Sequence, residues 1–203
     1  MDFKTHLERA WDITLNNLVM LIFMTLVMMV VSIVTLGILA PVIMAGYIQS
    51  IILLVRDRRE PRMDDLFSQM RLFLPLLVFC ILFGIVVIMG FTMIIIPGFL
   101  VALAAAFGCL YMLPLMTDRQ MGLVDALKTS WQMALKENVA DHIVVVILFF
   151  GLMAIGSSVF IGTLFTQPFA TVFLASVYLE RMKEANEIHS PPPPPSETKV
   201  GSG

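Results

Sequence analysis

The chain has 203 residues, 59% of them hydrophobic and 14% charged, with a mean hydropathy of +0.91. Soluble domains are nearer half apolar and a quarter charged, so a water-solvated fold is excluded and a lipid-embedded one expected. A net charge of −2 leaves no basic surface for nucleic acid.

The chain opens on an amphipathic pattern. Over residues 3–16, Phe3, Leu7, Trp11 and Leu15 recur every four residues, while Lys4, Glu8, Arg9 and Asp12 take other faces. The segment before the first apolar run is long and contains Asp2, Glu8 and Asp12, and the apolar stretch after it is too long for the core of a signal peptide, so it reads as uncleaved.

From Asp12 to Arg56 there is no Asp, Glu, Lys or Arg, and the same holds from Arg71 to Asp118 and from Asp141 to Glu180. These are uncharged runs of 43, 46 and 38 residues. A membrane crossing needs about 20 helical residues, so each run fits two crossings joined by a tight turn. The expected architecture is all-α and polytopic, with six transmembrane helices as three hairpins at 18–55, 72–117 and 142–180. Turn chemistry lies within each run: Gly37, Pro41 and Gly46 in the first, Pro97 and Gly98 in the second, Gly162 and Pro168 in the third. In the third, the last span can also start before its proline.

Two further amphipathic segments separate the hairpins. Residues 64–71 carry the pattern in short form, with Asp64 as N-cap before Leu66, Phe67 and Met70. Residues 122–137 place Leu123, Leu127, Trp131 and Leu135 on one stripe, away from Asp125, Lys128, Gln132 and Lys136. Such helices lie in the interface with their apolar faces in the acyl boundary. Amphipathic helix plus hairpin thus recurs at 3–56, 64–117 and 123–180, with Trp11, Phe67 and Trp131 in corresponding places. Candidate contacts to lipid headgroups are Trp11, Arg56, Arg58, Arg59, Arg62, Arg71 and Trp131. Interleaved acids (Asp57, Glu60, Asp64, Asp65) leave topology-setting as the second reading of the arginines.

Chemistry is sparse. The spans hold no Asp, Glu, Lys or Arg, the groups that mark proton relays and ion paths in membranes. Gln49 and Gln167 are the best candidates for a polar cavity. His6, His142 and His189 stand apart, with Asp141-His142 the one suggestive pair; Cys80 and Cys109 lie in apolar company. No P-loop, GxSxG, HExxH or CxxC occurs, so no catalytic, cofactor or metal site is expected and the chain reads as non-enzymatic. Small residues at helical spacing (Ala154, Ser158, Gly162; Ala102, Ala106; Ala104, Gly108) suit close packing, either within a bundle or between protomers. Residues 190–203, opening on Pro191–Pro195, read as an extended and then disordered cytoplasmic tail, with docking to a proline-recognising domain as the alternative.

The order of Ala10-Trp11, Gly46-Tyr47, Asp65-Leu66-Phe67, Ile96-Pro97-Gly98, Ala126-Leu127-Lys128-Thr129-Ser130, Pro168 and Tyr178 resembles a family of prokaryotic membrane proteins, largely uncharacterised. That family is related to the membrane domain of membrane-anchored glycerophosphoryl diester phosphodiesterases. The resemblance covers residues 3–181 and implies a six-helix integral membrane domain. It supplies no reaction, since the catalytic domain of those enzymes has no counterpart in this chain.

Two function classes follow: a scaffold or lipid-interacting module, with membrane lipids and another membrane protein or a second copy as partners, or a small permease or channel using Gln49. All thirteen Lys and Arg avoid the hairpin tips, so the positive-inside rule puts both termini on the cytoplasmic side of the inner membrane. A reporter enzyme fused after Lys183 is expected to be active in the cytoplasm; activity on the outer side would invert the topology.

Overall fold

The computed structural model describes residues 3–93, 95–136, 139–157 and 160–189, and every element of three or more residues in it is helical. The proline-rich tail at 190–203 and Ser158 lie outside the described residues. In chain order the helices are α1 (Phe3–Asn16), α2 (Leu18–Val34), α3 (Ala40–Asp57), α4 (Phe73–Met93), α5 (Ile95–Gly108), α6 (Met112–Asp118), α7 (Leu123–Lys136), α8 (Val139–Ser157) and α9 (Phe160–His189). Five stretches are long and apolar enough to cross a membrane, and a sixth if α1 and α2, bent by 85° at Asn17, count as one broken span. The outward faces of these helices are apolar: Val19, Ile33, Leu74, Ile88, Ile147 and Ile155 are all exposed. Contiguous apolar surface on this scale is incompatible with water and suits lipid.

The helix breaks differ from the expected turns in an instructive way. Pro41 is the second residue of α3 and Pro97 the third of α5. A proline in a first turn loses a backbone donor that has no intrahelical partner anyway, so it starts the returning helix and does not form the tip. The first tip is Thr35–Leu39, reversed by consecutive left-handed residues at Leu36 (φ 51°) and Gly37 (φ 80°). Gly46 lies within α3. In the third hairpin both Gly162 and Pro168 lie inside α9, which starts before them. Around Pro168, Thr166 donates to the Gly162 carbonyl (3.0 Å) and Thr171 to the Gln167 carbonyl (2.8 Å), and the helix continues through the proline, as membrane helices tolerate. The second run also breaks at Cys109–Tyr111, which separates α6 from α5.

Residues 64–71 are not an α-helix. They form two short 3₁₀ turns, Met63–Phe67 and Met70–Leu72, and Arg62, not Asp64, holds the N-terminal capping position.

Each segment between hairpins is seated on a small residue of a hairpin's second helix. A Cβ on Gly46 of α3 would collide with the Asp65 and Leu66 carbonyl oxygens and lie 2.7 Å from the Leu66 carbonyl carbon. A Cβ on Gly108 of α5 would enter the Trp131 ring of α7, and beside it Ser130 donates to the Gly108 carbonyl (2.6 Å) and accepts from the Tyr111 N–H (3.2 Å). On α9 the small residue is Ser176, whose hydroxyl meets His6 Nδ1 of α1 at 2.7 Å. The second helix of each hairpin thus carries the next segment, and α9 carries the first, closing a ring. The chain's three tyrosines, Tyr47, Tyr111 and Tyr178, lie close to these seats and are fully buried.

The seats set which face of each segment is inward. The buried rows are His6, Ala10, Thr14 on α1 and Ala126, Ser130, Ala134 on α7, each one position before the large apolar row. Trp11, Phe67 and Trp131, which follow the buried Ala10, Leu66 and Ser130, are 46%, 44% and 40% exposed. Gly46→Ala is expected to cost about 1–3 kcal/mol, as overpacking against fixed backbone does. Gly84→Ala, where nothing lies within 4 Å, serves as the tolerant control. Equal melting of the two variants in detergent would show that the first seat is not tight.

Candidate functional site

The segments converge at the charged end of the bundle. Asp118, at the end of α6, takes Arg56 Nη1 of α3 on one oxygen (2.6 Å) and the Tyr178 hydroxyl of α9 on the other (3.4 Å), and its side chain is only 6% exposed. Asp65 Oδ2 accepts the Ser50 hydroxyl of α3 at 2.7 Å, an Arg59 guanidinium N–H and the Arg62 backbone N–H at 3.2 Å. One carboxylate therefore pins the loop after α3 back onto α3. His6 is held between Ser176 and Glu180, one turn apart on α9.

Among the expected headgroup contacts, Arg56 and Arg59 are engaged by Asp118 and Asp65. Arg71 reaches the Gln69 side chain at 3.5 Å. Arg58 ends α3 in a left-handed conformation (φ 54°), and its N–H caps the Leu53 carbonyl. Trp11 lies edge-on to Phe165 and Phe169 of α9 with ring centroids 5.7 and 5.8 Å away; Trp131 meets Phe107 at 6.4 Å. Both indoles are thus half packed and half outward.

The two glutamines do not share a cavity. Gln167 lines one of about 550 Å³ toward the hairpin tips, with Met28, Met44 and Met153, and donates to the Met28 and Met44 sulfurs at 3.7 and 3.8 Å. Gln49 has no place in that lining, and its Oε1 is buried without a hydrogen-bond partner.

His142 is fully buried; its Nε2–H donates to the Phe107 carbonyl (2.7 Å) and its ring stands against Phe107 and Tyr111. It pins α8 to the end of α5. Among the described residues no group of three His, Cys, Asp or Glu side chains could hold a metal ion.

Two features escaped sequence reasoning. Arg181 is 1% exposed, stands 5.4 Å from the Tyr111 ring centroid and donates to the Met133 carbonyl at 3.3 Å. The other is a polar cavity of about 780 Å³ between α1, α3, α6 and α9, walled in part by His6, Arg9, Arg56, Asp118, Arg119 and Lys183. Next to it, a cavity of about 640 Å³ shares Arg9 and adds Glu8, Asp12, Arg58 and Glu60.

Asp65→Asn leaves the Arg59 guanidinium unmatched and weakens three hydrogen bonds, a loss of about 1.5–3 kcal/mol for charge-assisted contacts. Faster proteolysis at Arg58–Arg62 in detergent-purified protein is the expected result, and an unchanged cleavage rate would show that Asp65 does not pin the loop. No protein-family model, curated protein or solved structure matches the chain.

Proposed function

We propose that the protein is a non-enzymatic, six-span module of the cytoplasmic membrane that engages phospholipid at its cytoplasmic face through the segments between its hairpins. One observation carries this reading: Trp11, Phe67 and Trp131 each stand half exposed, on three separate segments seated at the charged end of an otherwise apolar bundle. Aromatic rings with one packed side and one open side suit headgroup depth, where the apolar body meets acyl chains and the indole N–H meets water or ester oxygens. The 85° bend between α1 and α2 supports an α1 that lies along the membrane plane. The inward rows of α1 and α7 supply protein contact, Phe3, Leu7, Leu123 and Leu127 pack partly on the core, and the open sides of Trp11, Leu15, Trp131 and Leu135 are left for lipid.

The pairing of Ser176, His6 and Glu180 fits a docking role better than catalysis. Ser176 is 3% exposed, and both α9 side chains are used to hold the α1 histidine. The permease reading draws on Gln49, whose Oε1 is buried without a hydrogen-bond partner, while Gln167 lies apart among methionines. The resemblance to the membrane domain of the anchored phosphodiesterases accords with a six-helix module without adding a substrate.

Trp11 and Trp131 are the chain's two tryptophans, so their fluorescence reports this face alone. In vesicles of phosphatidylcholine brominated at different acyl depths, quenching is expected to be strongest for bromines nearest the headgroup and weak at the bilayer centre. Maximal quenching at the centre, or none at any depth, would overturn the interfacial placement.

A further inference from the structure

We infer that Met28, Met44 and Met153, together with the Gln167 amide, form a binding site for a soft monovalent cation, Cu(I), in the cavity of about 550 Å³ toward the hairpin tips. The site lies away from the segments that carry the proposed lipid contact and stands or falls without it.

The donors come from four helices: Met28 from α2, Met44 from α3, Met153 from α8 and Gln167 from α9. Helix packing, not sequence proximity, brings the three thioethers to one cavity. Gln167 is 7% exposed, and its amide Nε2–H groups donate to the Met28 sulfur at 3.7 Å and the Met44 sulfur at 3.8 Å. Thioether sulfur is a weak acceptor, yet two sulfurs turn toward this one point of positive partial charge. The amide hydrogens thus stand in for a cation. Methionine often fills gaps in apolar cores, but here the side chains border a space and leave it open. Ile33 and Pro41, which flank the first tip, also line that space, so an ion has a short path from the tip side.

The donor set selects the ion. Thioethers are soft and favour Cu(I), whereas calcium, magnesium and manganese take carboxylate, carbonyl and water oxygens. Among the described residues that line the cavity none is Asp, Glu, His or Cys, so every donor is neutral. The desolvation cost of an ion rises with the square of its charge, and no carboxylate or thiolate offsets it here, so a monovalent ion is favoured over Zn(II) or Cu(II). The last turn of α2 and the first turn of α3 both border the cavity. Their opposed dipoles offset each other, which leaves the choice to the sulfurs. Binding turns the Gln167 amide so that Oε1 faces the ion, a rotation about a broad, two-fold torsion. It also draws the sulfurs inward, which the three rotatable bonds of methionine allow.

The test uses the full chain in phosphatidylcholine nanodiscs, carrying Cys80→Ala/Cys109→Ala so that neither free thiol competes for the ion. Cu(I), kept reduced by ascorbate, is offered on a chromophoric chelator, and its transfer to the protein is read from the chelator's absorbance. One ion per chain is expected, displaced by Ag(I) and not by Zn(II). Affinity should hold between about pH 5 and pH 8, because thioethers and amides do not titrate there, whereas a histidine site weakens toward the acid end. Met28→Leu/Met44→Leu, which roughly conserves volume, should keep the parent melting temperature and lower the affinity about tenfold or more, since changes beyond the ligands alone cost about 10–100-fold. Met89→Leu, at an exposed position of α4 outside the cavity, should leave the affinity unchanged. Should the double variant fail to fold, selenomethionine labelling of the parent decides: X-ray absorption at the copper edge should show selenium bound to the ion. Failure to take up Cu(I), equal uptake of Zn(II), a shell of nitrogen and oxygen alone, or an equal loss in Met89→Leu overturns the proposal.

Discussion

The seat of each inter-hairpin segment on a small residue is the contact on which the rest of the protein depends. Within a bilayer, apolar side chains gain little by leaving lipid for one another, so helices are held by close backbone approach and by polar contacts. Gly46 admits the Asp65–Leu66 backbone, Gly108 admits the Trp131 ring, and Ser176 binds His6. These contacts lie at one end of the bundle and link the hairpins in cyclic order. With them in place, Asp118 reaches both Arg56 and Tyr178, and Asp65 reaches Ser50 and Arg59. The ionic contacts follow from the seats, since each joins elements that the seats have already brought together.

The seats also explain a reversal between pattern and packing. On a soluble helix the large apolar row faces the core, yet on α1 and α7 the inward row is the small or polar one, displaced by a single position. With acyl chains as the surrounding medium, large apolar side chains lose nothing by facing outward, while close approach to a neighbouring backbone requires Ala or Ser. The periodicity of Phe3, Leu7, Trp11 and Leu15 therefore located the helix correctly, but it could not say which neighbour that stripe would meet.

Other parts of the fold were legible in proportion to how local their causes are. The uncharged runs located the long apolar helices because desolvating a charge in hydrocarbon is costly wherever the chain goes. The turns were misplaced by a few residues because proline reports a helix start as readily as a break, and a membrane helix can also carry one internally, as α9 does at Pro168. The short segment at 64–71 has apolar residues at helical spacing, but Asp65 is needed for contacts to Ser50, Arg59 and Arg62, and tight 3₁₀ turns meet that demand. The charged cavity could not be found in this way. Its walls come from four elements, and the pairing of His6 with Ser176 spans 170 positions, with no local signal at either end.

The cavity's charge also bears on how the chain's ionisable residues are distributed. The whole protein carries a net charge of −2, and the cations that line the cavity are interleaved with Asp118 and Glu180. Where the fold buries a charge it supplies compensation: Arg181 has the Tyr111 ring and the Met133 carbonyl, and Asp118 has Arg56. Exposed surface charges need no such compensation, because water screens them and their pairing contributes little.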